Sequence, residues 1–162
     1  MNNEQQTMNN KKGFTLIELL VVVTIIGILA TTVLISLNTA RIKARDVGRL
    51  ADLRQIALGL EMYYDGVSPN VYPGIDNTES WSAMKDALED GHYIVSVPQD
   101  PLYPTYYFFY YPGNNNQTYV IGVDELENPD NPALNNDVDN DDIIGVIVPA
   151  NRCDGTEYCI QL

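Results

Sequence analysis

The chain has 162 residues, with 22 Asp and Glu against nine Lys and Arg, a formal net charge of −13 and a single histidine beside two cysteines. A chain of that length holds one globular domain at most with a short extension. Its acidity excludes a nucleic-acid footprint, which needs clustered Lys and Arg, and one histidine with two cysteines excludes a zinc set.

Residues 1 to 12, MNNEQQTMNNKK, are polar and without pattern. From Phe14 to Leu37 there follow 24 residues whose only charge is Glu18. A bilayer core is spanned by about 20 apolar helical residues, so this run is long enough to cross one. Lys11 and Lys12 stand directly before it and, by the positive-inside tendency, keep the N-terminus in the cytoplasm and place the rest of the chain outside. A secretory signal peptide would have an apolar core of about 7 to 15 residues and a small-residue cleavage site. This run is longer, and the triplet Asn38, Thr39, Ala40 opens with an unsuitable residue. A plain single-pass anchor would not need Glu18, since a carboxylate in lipid costs a few kcal/mol. Lys11 and Lys12, seven and six residues back, are off the face that one helix could use to satisfy that acid. The expectation is that its partner comes from elsewhere.

The string KKGFTLIELLVVVTIIGILA, residues 11 to 30, resembles the leader and first helix of type IV pilins and type II secretion pseudopilins. The resemblance implies cleavage after Gly13 by a prepilin peptidase, N-methylation of Phe14, and a contact of Glu18 with the Phe14 amine of a neighbouring subunit. It also implies a helical homopolymer as the partner, an inner-membrane assembly platform with its ATPase, and membrane lipid before assembly. The location implied is a single-pass inner-membrane protein that later joins an extracellular or periplasmic filament. One departure is Ile35, where members of the family often carry proline. Without proline the backbone keeps its donor there, so no local melting of the helix is expected.

Beyond Leu37 the pattern turns amphipathic: Val47, Leu50, Leu53, Ala57, Leu60 and Tyr64 recur at three and four, with Ile56 and Tyr63 beside them. This predicts one helix from Phe14 to about Tyr64, closed by Gly66, with Pro69 and Pro73 beyond it. Gly48 and Gly59 weaken it locally. Five bases, Arg41, Lys43, Arg45, Arg49 and Arg54, line this second half. They are read either as facing acidic neighbours in a filament or as a solvated face with local pairs such as Arg45 with Asp52.

Caps at Asp76 to Ser80 predict a short helix with Trp81, Met84 and Leu88 on one face and Gly91 at its end. His92 reads as a turn residue. TYYFFYY, residues 105 to 111, then PGNNN, then QTYVIGV, residues 117 to 123, predict a β-hairpin with a five-residue loop. Tyr106, Phe108 and Tyr110 share one face, Tyr107, Phe109 and Tyr111 the other. Residues 143 to 148 and 157 to 162 are further strand candidates. The expected fold is α+β: a long N-terminal helix, half of it transmembrane, on an antiparallel sheet of three or four strands. The expected divisions are a cleaved leader 1–13, a transmembrane and filament-core helix 14–40, and a pilin head 41–162. The connector YYDGVSPNVYP and the segment YIVSVPQDPL resemble the corresponding parts of major pseudopilins.

The alternating Asp137, Asp139 and Asp141 have the oxygen donors that a hard cation such as calcium requires, although Asp142 and Val148 break the EF-hand pattern. Calcium-binding loops in major pseudopilins make a structural ion plausible by resemblance; a solvated acidic loop is the alternative. Cys153 and Cys159, an even pair in an exported chain, predict a disulfide closing a short loop. No nucleophile, general-base or phosphate-cradling motif appears, so an enzyme is not expected. Asn116, Gln117 and Thr118 match a glycosylation sequon by pattern alone. The second functional reading is a minor tip pilin or adhesin with a calcium-stabilised acidic C-terminal region.

Overall fold

The computed structural model describes residues 13–139, 142–149 and 152–162. Helix α1 (Leu16–Gly66) is followed by α2 (Trp81–Asp90), β1 (Phe108–Gly113), β2 (Thr118–Val123), a 3₁₀ turn (Pro132–Asn135) and β3 (Tyr158–Gln161). The chain divides into two compact units, with the boundary between Ala40 and Arg41. In the first unit, none of the described side chains from Phe14 to Ala40 is buried. Its threonines lie in an apolar run yet are satisfied locally: the hydroxyls of Thr24, Thr31 and Thr32 donate to the carbonyls of Leu20, Ile28 and Leu29.

In the second unit, the amphipathic half of α1 packs Leu50, Leu53, Ile56 and Leu60 against the sheet. Val47, expected on that inner stripe, is 64% exposed. Its turn is buried instead through Asp46 and Arg49, polar residues that a hydrophobic period does not count. The sheet is antiparallel in the order β1-β2-β3, with Phe109 opposite Gly122 and Gly122 opposite Cys159. Alternation along β1 works as the strand period requires. Phe108 and Tyr110 join Tyr119, Ile121, Val123 and Tyr158 against the helices. Phe109 and Tyr111 face the other way, where Val120, Val146 and the Cys153–Cys159 disulfide cover them. Gly122 leaves room for this second layer, since a side chain there would meet the Phe109 ring and the Tyr158 carbonyl.

Three local expectations need correction. The hairpin loop is four residues, 114–117, because Pro112 and Gly113 pair within β1. Asn114, Asn115 and Asn116 all take positive φ, the left-handed conformation that asparagine tolerates best after glycine. Residues 143 to 148 form no strand. Gly145 turns left-handed at φ 75°, and the Gln161 side chain bonds both backbone groups of Ile144, taking the place of a neighbouring strand's backbone. Ser80 precedes α2 but does not cap it with its hydroxyl, which accepts from the Ile75 N–H and donates to the Thr78 carbonyl. Gly91 closes α2 as expected, and the left-handed residue is the next one, His92, at φ 59°.

Candidate functional site

The N-terminal end of α1 carries the residues marked by the sequence. Thr15, Leu16, Ile17 and Glu18 form a capping box. The Glu18 carboxylate accepts from the Thr15 N–H at 2.8 Å and from its hydroxyl at 2.7 Å, while the Glu18 N–H donates to the Thr15 oxygen at 3.3 Å. Glu18 therefore has a partner within its own chain, contrary to the expectation that only another molecule could supply one. The signal was present: Thr three residues before Glu, at the start of an apolar run, is the capping-box pattern itself. Beside this cap lies a shallow groove of about 330 Å³ lined by Phe14, Ile17, Glu18, Val21 and Val22. Phe14 is 84% exposed. Among the described residues α1 is the one helix long and apolar enough to cross a membrane.

A second charged centre escaped the sequence reading. Arg49, fully buried, donates to Asp46 at 2.8 Å, to Asp100 at 2.5 and 3.2 Å, and to Glu127 at 2.8 Å, and its guanidinium lies 4.6 Å from the Tyr106 ring centre. Arg45 forks onto the same Glu127 at 2.5 and 2.6 Å. Asp46 in turn accepts the backbone N–H groups of Glu127 and Asn128, each at 3.0 Å. The hydrogen bond from Arg45, together with Arg49, holds the Glu127 carboxyl below its ordinary range despite partial burial. These contacts fasten α1 to the loop of residues 98–101 and to the chain leaving β2. They also overturn both readings of the basic cluster for Arg49, which is buried inside the head, and replace the expected local pair of Arg45 with Asp52: Arg45, its side chain 30% exposed, is bonded to Glu127 instead.

Asp137 and Asp139 lie in the described part of the acidic segment; Asp141 lies outside it. Burial raises the Asp137 carboxyl, opposed by hydrogen bonds from its own N–H and that of Cys159. Among the described residues no three His, Cys, Asp or Glu side chains gather as a cation would need. Cys153 and Cys159 are bonded, as the even pair predicts, with their Cα atoms 5.5 Å apart.

A Gly–Phe junction, a capped glutamate and an unburied apolar helix, in one chain with a small α+β head, define a membrane-anchored subunit of the pilin type. The model of the prokaryotic N-terminal methylation motif matches residues 8–34. A type II secretion system core protein G from Vibrio cholerae is 30% identical over 128 residues, 74% of this chain and 86% of the relative. Its namesake from Klebsiella pneumoniae is 30% identical over 139 residues, 82% of this chain and 96% of the relative. A type IV wide pilus major component from Thermus thermophilus is 48% identical over 56 residues, covering 35% of this chain and 43% of that protein. No solved structure matches significantly. The chain belongs to the family of type IV pilins and type II secretion pseudopilins, a structural family and not an enzyme family.

Proposed function

We propose that this chain is a filament-building subunit, cut after Gly13 and assembled through α1 with Glu18 meeting the Phe14 amine of the next copy. The observation that carries the reading is the exposed groove in which Phe14 and Glu18 lie together, at the head of a helix with no described side chain buried before Arg41. In lipid those side chains are solvated by acyl chains; in water they need neighbours. The Thr15–Glu18 cap has a direct consequence. It keeps the carboxylate bonded while the subunit waits in the membrane, and a neighbour's ammonium, a charged donor, offers a stronger bond than the neutral hydroxyl and amide. Relatives named as a core secretion protein and as a pilus component support a filament subunit of either system.

The test is a Glu18→Ala chain in the native host. A subunit that begins at Phe14 by mass, stays in the membrane and is missing from sheared fibres is the expected result. Fibres at normal yield would remove the Glu18 contact from the mechanism, and a native chain still beginning at Met1 would remove the processing step. Calcium is a separate proposal resting on Asp141 joining Asp137 and Asp139. A ligand bound only by the folded state raises its melting midpoint. A rise in millimolar calcium against chelator is expected, and no shift would dismiss the ion.

A further inference from the structure

Seven Lys and Arg lie among the described residues, and their partners divide them. Arg45 and Arg49 are neutralised by the Asp46, Asp100 and Glu127 carboxylates, and Arg152 by Asp124. Arg41, Lys43 and Arg54, all on α1, form no ion pair among the described residues. Beyond α1 the one remaining base is Lys85, exposed on α2 and without ion pair or hydrogen bond among the described residues.

Lys85 stands in the wall of a cleft of about 860 Å³ between α2, residues 96–104 and the start of the sheet, a volume within the ordinary range for binding sites. Trp81, Tyr103 and Tyr107 supply rings to its lining, and Arg152 lines it as well. Its walls are fixed: Trp81 stacks on Phe108 with centres 5.8 Å apart, and Arg152 donates to the Tyr107 hydroxyl at 2.7 Å. Of the two acids in the wall, Asp100 is paired with Arg49, while Glu79 accepts the Trp81 N–H at 2.9 Å and keeps its charge. The cleft therefore presents aromatic rings beside an ammonium that forms no ion pair among the described residues.

We propose that this cleft receives exposed carboxylates of a second copy of the chain, so that Lys85 is a head-to-head docking residue in the filament. The inference rests on the filament reading above. A subunit of net charge −13, with 18 acids beyond residue 54, repels its own copies unless some contact sets base against acid. Three of the free bases sit on the long helix, and Lys85 is the one placed on the head's own cleft. Neighbouring subunits are the source of carboxylate at highest local concentration in a polymer.

The experiment uses the full chain in its host, with a photo-reactive residue at Tyr103 and separately with Lys85→Glu and Lys85→Arg. An adduct of two copies is expected at Tyr103, its far end on an acid-bearing peptide. Lys85→Glu should lower fibre yield about tenfold, as a charge reversal at a docking contact does, Lys85→Arg should keep it, and the detergent-held monomer should melt unchanged in both. Fibres without a copy-to-copy adduct, an adduct to a different protein, or normal fibres from Lys85→Glu would overturn the cleft while leaving the filament reading intact. A wild-type chain that makes no fibres would overturn both together.

Discussion

Arg49 is the side chain on which most of the head's buried charge converges. Three carboxylates and one aromatic ring surround it, and all of its ion-pair partners but Glu127 are fully buried. A buried pair adds little over a well-packed apolar substitute, but removing one partner strands the others at about 3 to 5 kcal/mol. Arg49→Met should therefore cost on that order in a denaturant titration, whereas Arg54→Met, on the exposed face, should cost almost nothing. The pH dependence follows from Glu127. Its folded pKa lies below the ordinary 4.5, so its contribution is present at neutral pH and is lost as pH falls through about 4.5 toward the lower folded value. Burial raises Asp52, Asp137 and Glu157, whose contributions have the opposite sign and favour the folded state in acid. The difference between wild type and Glu127→Gln isolates the effect: the variant melts lower at pH 7, and the gap closes toward pH 3. None of this was legible in sequence beyond the local Asp46–Arg49 spacing. The partners lie 51 and 78 residues away, and nothing in a PQDP or ELEN stretch marks its acid as buried.

At the scale of elements, the two glycines in the head's half of α1 read alike and behave differently. A Cβ at Gly48 would meet nothing within 4 Å, while one at Gly59 would fall 2.6 Å from Ile94. Replacing glycine by alanine inside a helix gains up to about 1 kcal/mol where there is space. Gly48→Ala should raise the midpoint by that increment, and Gly59→Ala should lower it by about 1 to 3 kcal/mol, the usual range for overpacking. Equal effects from both would contradict the packing. Element type was legible wherever a period ran long, as in α1 and in the aromatic strand. It failed at residues 143 to 148, whose β-branched residues satisfy a strand pattern. There a left-handed glycine and the side chain of a residue 17 positions on decide the backbone. The face of β1 that carries Phe109 and Tyr111 is covered from within the chain, by the disulfide loop with Val146.

For the whole molecule, the decisive fact is where burial begins. Among the described residues every buried side chain lies at Asp46 or later, and both apolar clusters are built from the second unit alone. The first unit adds no described side chain to either cluster. A fragment of residues 41–162 should therefore be soluble, fold cooperatively and melt at the midpoint of the detergent-held full chain. Its disulfide should contribute about 2 kcal/mol, as expected for so short a loop. Circular dichroism against denaturant checks this in one titration, with and without reductant. A fragment lacking a cooperative transition would show that residues before Arg41 stabilise the head, and the separation of an anchoring unit from a folding unit would fail. A cooperative fragment would instead locate the tolerance of the fold. Substitutions from Phe14 to Ala40 would then register in membrane retention and fibre yield, and substitutions beyond Asp46 in the melting midpoint.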